Sequence, residues 1–84
     1  MEVSIVTPHK EVFAGEALSL VGPGAEGEFG ILPGHTPFLT NLVRGDVVVA
    51  TAAGEQRFPI TDGFVEVRDD RVVVLAGRLR ESSE

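Results

Sequence analysis

An all-β fold, a flattened antiparallel sandwich, is the architecture this sequence predicts, and three observations carry it. Ten glycines and five prolines punctuate 84 residues, so no window of about eleven residues keeps apolar side chains at the i, i+3, i+4, i+7 spacing of a helix. Between the breaks lie short segments rich in Val, Ile, Phe and Leu, several alternating with polar residues at the period of two that a half-buried strand requires. Turn-forming residues recur at hairpin spacing, which makes about eight or nine strands and no substantial helix.

The alternation is clearest in the second half. In Glu55-Gln56-Arg57-Phe58-Pro59-Ile60, Phe58 and Ile60 fall on one face and Glu55 and Arg57 on the other, and Val65 and Val67 likewise oppose Glu66 and Arg68. Segments 47–51 and 72–76 are apolar at both parities, so a second sheet or a partner has to cover their outer face. Turns are expected at Ala52-Ala53-Gly54 and at Asp69-Asp70, where Asp tolerates turn geometry. Pro33-Gly34 combines a fixed φ with a residue free to take positive φ, the requirement of a type II turn, from which His35 projects.

Composition bounds the function. A chain of 84 residues supports one core, and with no cysteine that core forms without disulfides. Hydrophobic residues are 43% and charged residues 24%, ordinary for a folded domain. Apolar runs stop far short of the ~20 residues that span a bilayer. The opening residues carry no secretory signal pattern, so an intracellular location is the expectation. A net charge of −6 with seven scattered Lys and Arg opposes nucleic acid as a partner.

Residues 22–40 read as neither plain strand nor plain turn. A phosphate-cradling loop is excluded because no Gly-Lys-Ser/Thr leads into a helix. Glu26 and Glu28 stand beside glycines and point to solvent, not to acid–base chemistry. His9 and His35 lack the spacing of metal ligands, and Ser19, Thr36 and Thr40 lie in no nucleophile elbow. No catalytic residue, metal or cofactor is expected. Phe29, Ile31, Leu32 and Phe38 are core plugs or docking residues, and the residues alone leave both readings open.

The run Gly27-Glu28-Phe29-Gly30-Ile31-Leu32-Pro33-Gly34-His35-Thr36-Pro37-Phe38-Leu39-Thr40 resembles the signature of the epsilon subunit of F-type ATP synthases, called delta in mitochondria. That signature reads Gly-Glu-(apolar)-Gly-Ile-(any)-Pro-Gly-His-(small)-Pro-(apolar)-Leu, and each fixed position is filled in order. Val12-Phe13-Ala14-Gly15, Ile60-Thr61-Asp62-Gly63-Phe64-Val65-Glu66-Val67 and Val72-Val73-Val74-Leu75-Ala76 extend the resemblance along nearly the whole chain.

The resemblance implies a ten-stranded sandwich over residues 1–84 and a non-catalytic rotor subunit of the central stalk. Such a subunit binds gamma and touches the c-ring, coupling proton translocation to ATP synthesis from the cytoplasmic face of a bacterial plasma membrane or its organelle equivalent. By the same resemblance, Glu28, Phe29 and Gly30 match the c-ring contact, with Glu28 expected to pair with a basic or amide group. Thr7, His35 and Thr40 match positions facing gamma, as a polar rim around Ile31, Leu32 and Phe38. The family usually adds a helical hairpin that carries regulation and, in some members, ATP binding. That hairpin is absent from these 84 residues, so no direct nucleotide binding is expected. Arg44 stands where the family often has proline. The alternatives from other classes are an independent β-sandwich module binding a peptide or carbohydrate, and a small hydrolase centred on His35.

Overall fold

The computed structural model describes residues 1–80. They form nine strands: β1 (Glu2–Val6), β2 (Glu11–Glu16), β3 (Ser19–Gly24), β4 (Gly27–Ile31), β5 (Phe38–Leu42), β6 (Gly45–Thr51), β7 (Gly54–Ile60), β8 (Gly63–Arg68) and β9 (Arg71–Ala76). No helix occurs among the described residues. Nine is the upper count expected from the turns and one fewer than the resemblance implies. An isolated bridge between Ile60 and Leu79 begins a further pairing just after β9.

The strands make one sheet that curls into two layers. Strands β2-β1-β9-β8-β5 make up one layer and β4-β3-β6-β7 the other, joined where Gly24 of β3 pairs with Leu42 of β5. Two aromatic contacts close the flanks. Phe13 of β2 meets Phe58 of β7 edge-on at 5.8 Å, which brings together the two ends of the strand path. On the other flank Phe29 of β4 meets Phe38 of β5 at 5.2 Å. Aromatic pairs of this kind contribute about 0.5–1.5 kcal/mol each beyond the area they bury.

All but one of the strand pairs are antiparallel, as expected. The exception is β1, which runs parallel to β9 from Glu2↔Arg71 to Val6↔Leu75. A parallel pair needs a long crossover rather than a tight turn, and here the whole intervening chain supplies it.

Period-two alternation becomes a dry interior. Val3 and Ile5, Val65 and Val67, and Val72 and Val74 are all at most 2% exposed, facing Leu20, Val47, Val49 and Ile60 of the opposite layer. Burying each such side chain stabilises the fold by about 1.5–3 kcal/mol. The doubly apolar segments resolve by parity: Val47, Val49, Val72, Val74 and Ala76 point inward, while Leu75 remains 50% exposed on the outer face. The Asp69-Asp70 turn forms as expected, both residues having positive φ, and Gly54 opens β7 directly after Ala52-Ala53.

Candidate functional site

The glycine-rich signature folds as β4, a turn and β5, and occupies one flank of the sandwich from end to end. β4 is an edge strand, paired only with β3. Glu28 is exposed and borders an open depression on the outer face of its layer, shared with Asp46, Glu55, Arg57 and Arg80. Within it Asp46 accepts from Arg80 at 2.7 Å and from Arg57 at 3.3 Å, so Glu28 adds negative charge beside an already paired network.

Phe29 points the other way, over β3. Its ring fills the space that side chains on Gly22 and Gly24 would take: Cζ stands 2.7 Å from the position of a β-carbon on Gly22. The ring packs on Phe38, which in turn meets the His35 ring edge-on at 5.6 Å. Phe29, His35 and Phe38 thus form a half-buried aromatic string along the flank. Thr40, half-buried, joins Phe29, Phe38, Glu26 and Glu28 around a cavity of about 230 Å³.

Gly30 behaves differently from its neighbours. Its φ is not positive, and nothing lies within 4 Å of where its β-carbon would be. The domain itself makes no demand for glycine there. Ile31 is fully interior at 1% exposure and Leu32 is 63% exposed. The two open readings of the apolar residues therefore divide: Ile31 is core, Leu32 is surface, and Phe29 and Phe38 are packed but partly open.

The turn that follows is the type II turn expected of Pro33-Gly34. The N–H of His35 donates to the carbonyl of Leu32 at 3.1 Å and Gly34 has φ 83°, a value glycine adopts without the steric cost a β-carbon brings. The Gly34 N–H donates to Asp70 Oδ1 at 2.9 Å, linking the turn to the β8–β9 hairpin. His35 Nδ1 lies 2.7 Å from the Thr36 carbonyl oxygen. A carbonyl only accepts, so Nδ1 carries the proton, which leaves Nε2 for another partner.

Thr7 is not brought to this group. It follows β1 at the end of the sandwich opposite the Leu32–His35 turn, where its hydroxyl accepts the N–H groups of His9 and Lys10 and donates to the Lys10 carbonyl. Leu39 and Leu75 are 60% and 50% exposed, and of the two only Leu75 lies in a run whose outer face the sequence expects to be covered. They lie on the outer face of the β5-β8-β9 layer with Phe64 and Val73. The signal for Leu75 is the double parity of run 72–76. Among the described residues no cluster of His, Asp and Glu suits a metal ion, and no helix is long and apolar enough to cross a membrane.

Residues 1–81 match the family described as ATP synthase, Delta/Epsilon chain, beta-sandwich domain. The chain belongs to this delta/epsilon family. Among curated members, the ATP synthase epsilon chain of Pelotomaculum thermopropionicum is 40% identical over 98% of this chain and 61% of its own length. The epsilon chain of Caulobacter vibrioides is 39% identical over 99% of this chain and 96% of its own length. The chain thus spans about three fifths of the first of these delta/epsilon relatives and nearly all of the second. Solved structures share the fold, two of them with TM-scores above 0.8. One comes from the central stalk and c-ring of the Tetrahymena thermophila mitochondrial ATP synthase, with TM-score 0.82, 21% identity, and coverage of 99% of this chain and 67% of that one. The other comes from the OSCP/F1/c-ring structure of the Euglena gracilis mitochondrial ATP synthase, with TM-score 0.85, 22% identity, and coverage of 93% and 51%.

Proposed function

We propose that this chain is a non-catalytic central-stalk subunit of an F-type ATP synthase, which binds gamma, touches the c-ring and helps couple proton translocation to ATP synthesis. Its place is with F1 at the membrane surface, the cytoplasmic face in a bacterium.

The observation that carries this reading is Gly30. Glycine inside a strand costs about 0.5–1 kcal/mol relative to alanine, and within the domain nothing is gained in return, since no atom lies near its missing side chain. Strand glycines without an internal reason mark the close approach of another backbone or ligand. Gly30 sits on an edge strand between exposed Glu28 and exposed Leu32, so the approach is that of another protein along the β4 flank.

Glu28 and Gly30, with Phe29 packed behind them, are assigned to the c-ring side. Leu32, His35, Phe38 and Thr40 are assigned to gamma. Thr7 is assigned to gamma at the other end of the domain, and Ile31 serves by holding β4 in place. The exposed Leu39 and Leu75 add apolar surface of the kind a permanent partner covers. A hydrolase centred on His35 has less support, because its Nδ1 is engaged by a backbone carbonyl and not by a carboxylate.

Calorimetric titration of the chain into a matched gamma subunit tests the reading. A one-to-one complex with a negative heat-capacity change, the mark of buried apolar surface, is the expected result. A folded chain that fails to bind gamma would overturn it.

A further inference from the structure

The β8–β9 turn holds a residue that the turn itself does not favour. Arg68 pairs with Arg71 across Asp69 and Asp70, whose φ values are 52° and 60°. A two-residue hairpin turn with both central φ positive is type I′, and its second position favours glycine because a β-carbon is strained there. This chain places Asp at that position, and the carboxylate reaches a segment 36 residues away in sequence, where Oδ1 accepts the Gly34 N–H at 2.9 Å.

Gly34 is the positive-φ residue of the turn that presents Leu32 and His35. The other Asp70 oxygen is 3.9 Å from the Met1 nitrogen, and the Asp70 carbonyl accepts the Glu2 N–H at 3.1 Å. The backbone contact survives any side chain, and the Met1 contact, at 3.9 Å, is an ion pair too long for a hydrogen bond. The short bond to Gly34 is therefore the hydrogen bond that the aspartate side chain supplies, beside its ion pair with the Met1 ammonium. Backbone strain retained where a glycine would relieve it points to a role beyond local stability.

We propose that Asp70 is a positioning residue for partner binding, its carboxylate holding the Leu32–His35 turn in the conformation that meets the partner subunit. This rests on the reading that the turn faces gamma. Without the bond, the turn has to be ordered at the moment of association, and that entropy is subtracted from affinity.

The test compares Asp70→Gly, Asp70→Asn and Asp69→Gly in the full chain, by calorimetry against gamma, thermal unfolding, and hydrogen exchange at the Gly34 amide. Asp70→Gly relieves the turn and deletes the carboxylate. Its Tm is expected to equal or exceed that of the wild type, its Gly34 amide to exchange faster, and its affinity to fall about fivefold, the worth of one hydrogen bond. Asp70→Asn keeps an acceptor oxygen and is expected to bind within about twofold of wild type, as an uncharged hydrogen bond replaces a charged one. Asp69→Gly relaxes the neighbouring position without touching Gly34 and is expected to bind as the wild type does.

Undiminished affinity in Asp70→Gly overturns the proposal, as does an affinity loss matched by a lower Tm, which would make the role structural. A wild-type chain that does not bind gamma overturns the proposal together with the functional reading. Wild-type binding with undiminished Asp70→Gly binding overturns the proposal alone.

Discussion

The Phe29 ring stands over Gly22, with its Cζ 2.7 Å from the place a β-carbon on that glycine would occupy. A small residue on β3 is thus what lets an aromatic on β4 lie across it and reach Phe38 on the facing layer, closing the flank on which the signature lies. Gly24 makes room for the same ring, and a β-carbon there would also stand 2.7 Å from the Gly27 carbonyl oxygen.

The two glycines differ in what a methyl group would meet, which sets an order of cost. Gly22→Ala meets the far end of a ring that can swing aside, and is expected to cost about 1–2 kcal/mol, in the lower part of the range for overpacking. Gly24→Ala meets backbone at the β3–β4 turn and at the junction with β5, so about 3 kcal/mol is expected, at or beyond the top of that range. At roughly 4–8 °C per kcal/mol for a domain of this size, thermal unfolding separates the two. Equal losses would mean that the ring, too, cannot move.

Gly30 gives the converse case. Gly30→Val adds a β-branched side chain to a strand position with open space around it, where strand propensity favours valine. The expected Tm is unchanged or higher. ATP synthesis driven by a proton gradient in vesicles carrying the reconstituted enzyme is expected to drop, because the approaching partner meets two methyl groups. Full coupling in the variant would remove the main support for the proposed function.

How much of this was legible beforehand follows from how far apart the interacting residues lie. The type II turn at Pro33-Gly34, the Asp69-Asp70 turn and the inward faces of β8 and β9 are local matters of φ preference and side-chain parity, and they appear where the sequence places them. The parallel pairing of β1 with β9 joins residues about seventy positions apart, and no local period encodes it. The burial of Ile31 was ambiguous for a related reason. Glycines at 27 and 30 interrupt the alternation on β4, so parity could not be followed through the motif until β3 supplied Leu20 as its partner. Only the resemblance joins Thr7 to His35 and Thr40. The parallel β1–β9 register sets it at the far end of the domain.

Ile31 and Leu32 are neighbours in sequence with opposite surroundings, 1% and 63% exposed. Ile31→Val removes one buried methylene and is expected to cost about 1 kcal/mol of stability while leaving gamma affinity near the wild-type value. Leu32→Ala is expected to change Tm little, as an exposed substitution does, while weakening gamma binding by about tenfold if it is an interface anchor. Calorimetry and thermal unfolding on both variants give a two-by-two outcome. A Leu32→Ala variant that binds gamma as tightly as the wild type would move the contact elsewhere on the domain.

Glu28 is the remaining charge on the signature flank, exposed at the second position of β4 and flanked by glycine on one side. No ion pair within 4.0 Å involves it among the described residues, whereas nearby Asp46 is paired to both Arg57 and Arg80. Glu28→Lys therefore breaks nothing inside the domain, and the expected change in stability is within about 0.5 kcal/mol, typical of surface substitutions. Toward a partner the effect is larger, because the reversed charge repels a basic group and offers no acceptor to an amide N–H, and like charges brought together at an interface cost several kcal/mol when desolvated. Coupling between proton flow and ATP synthesis is thus expected to weaken in reconstituted vesicles, with the deficit easing as salt rises and screens the charge. Unchanged synthesis and proton pumping at low salt would show that Glu28 does not face the c-ring.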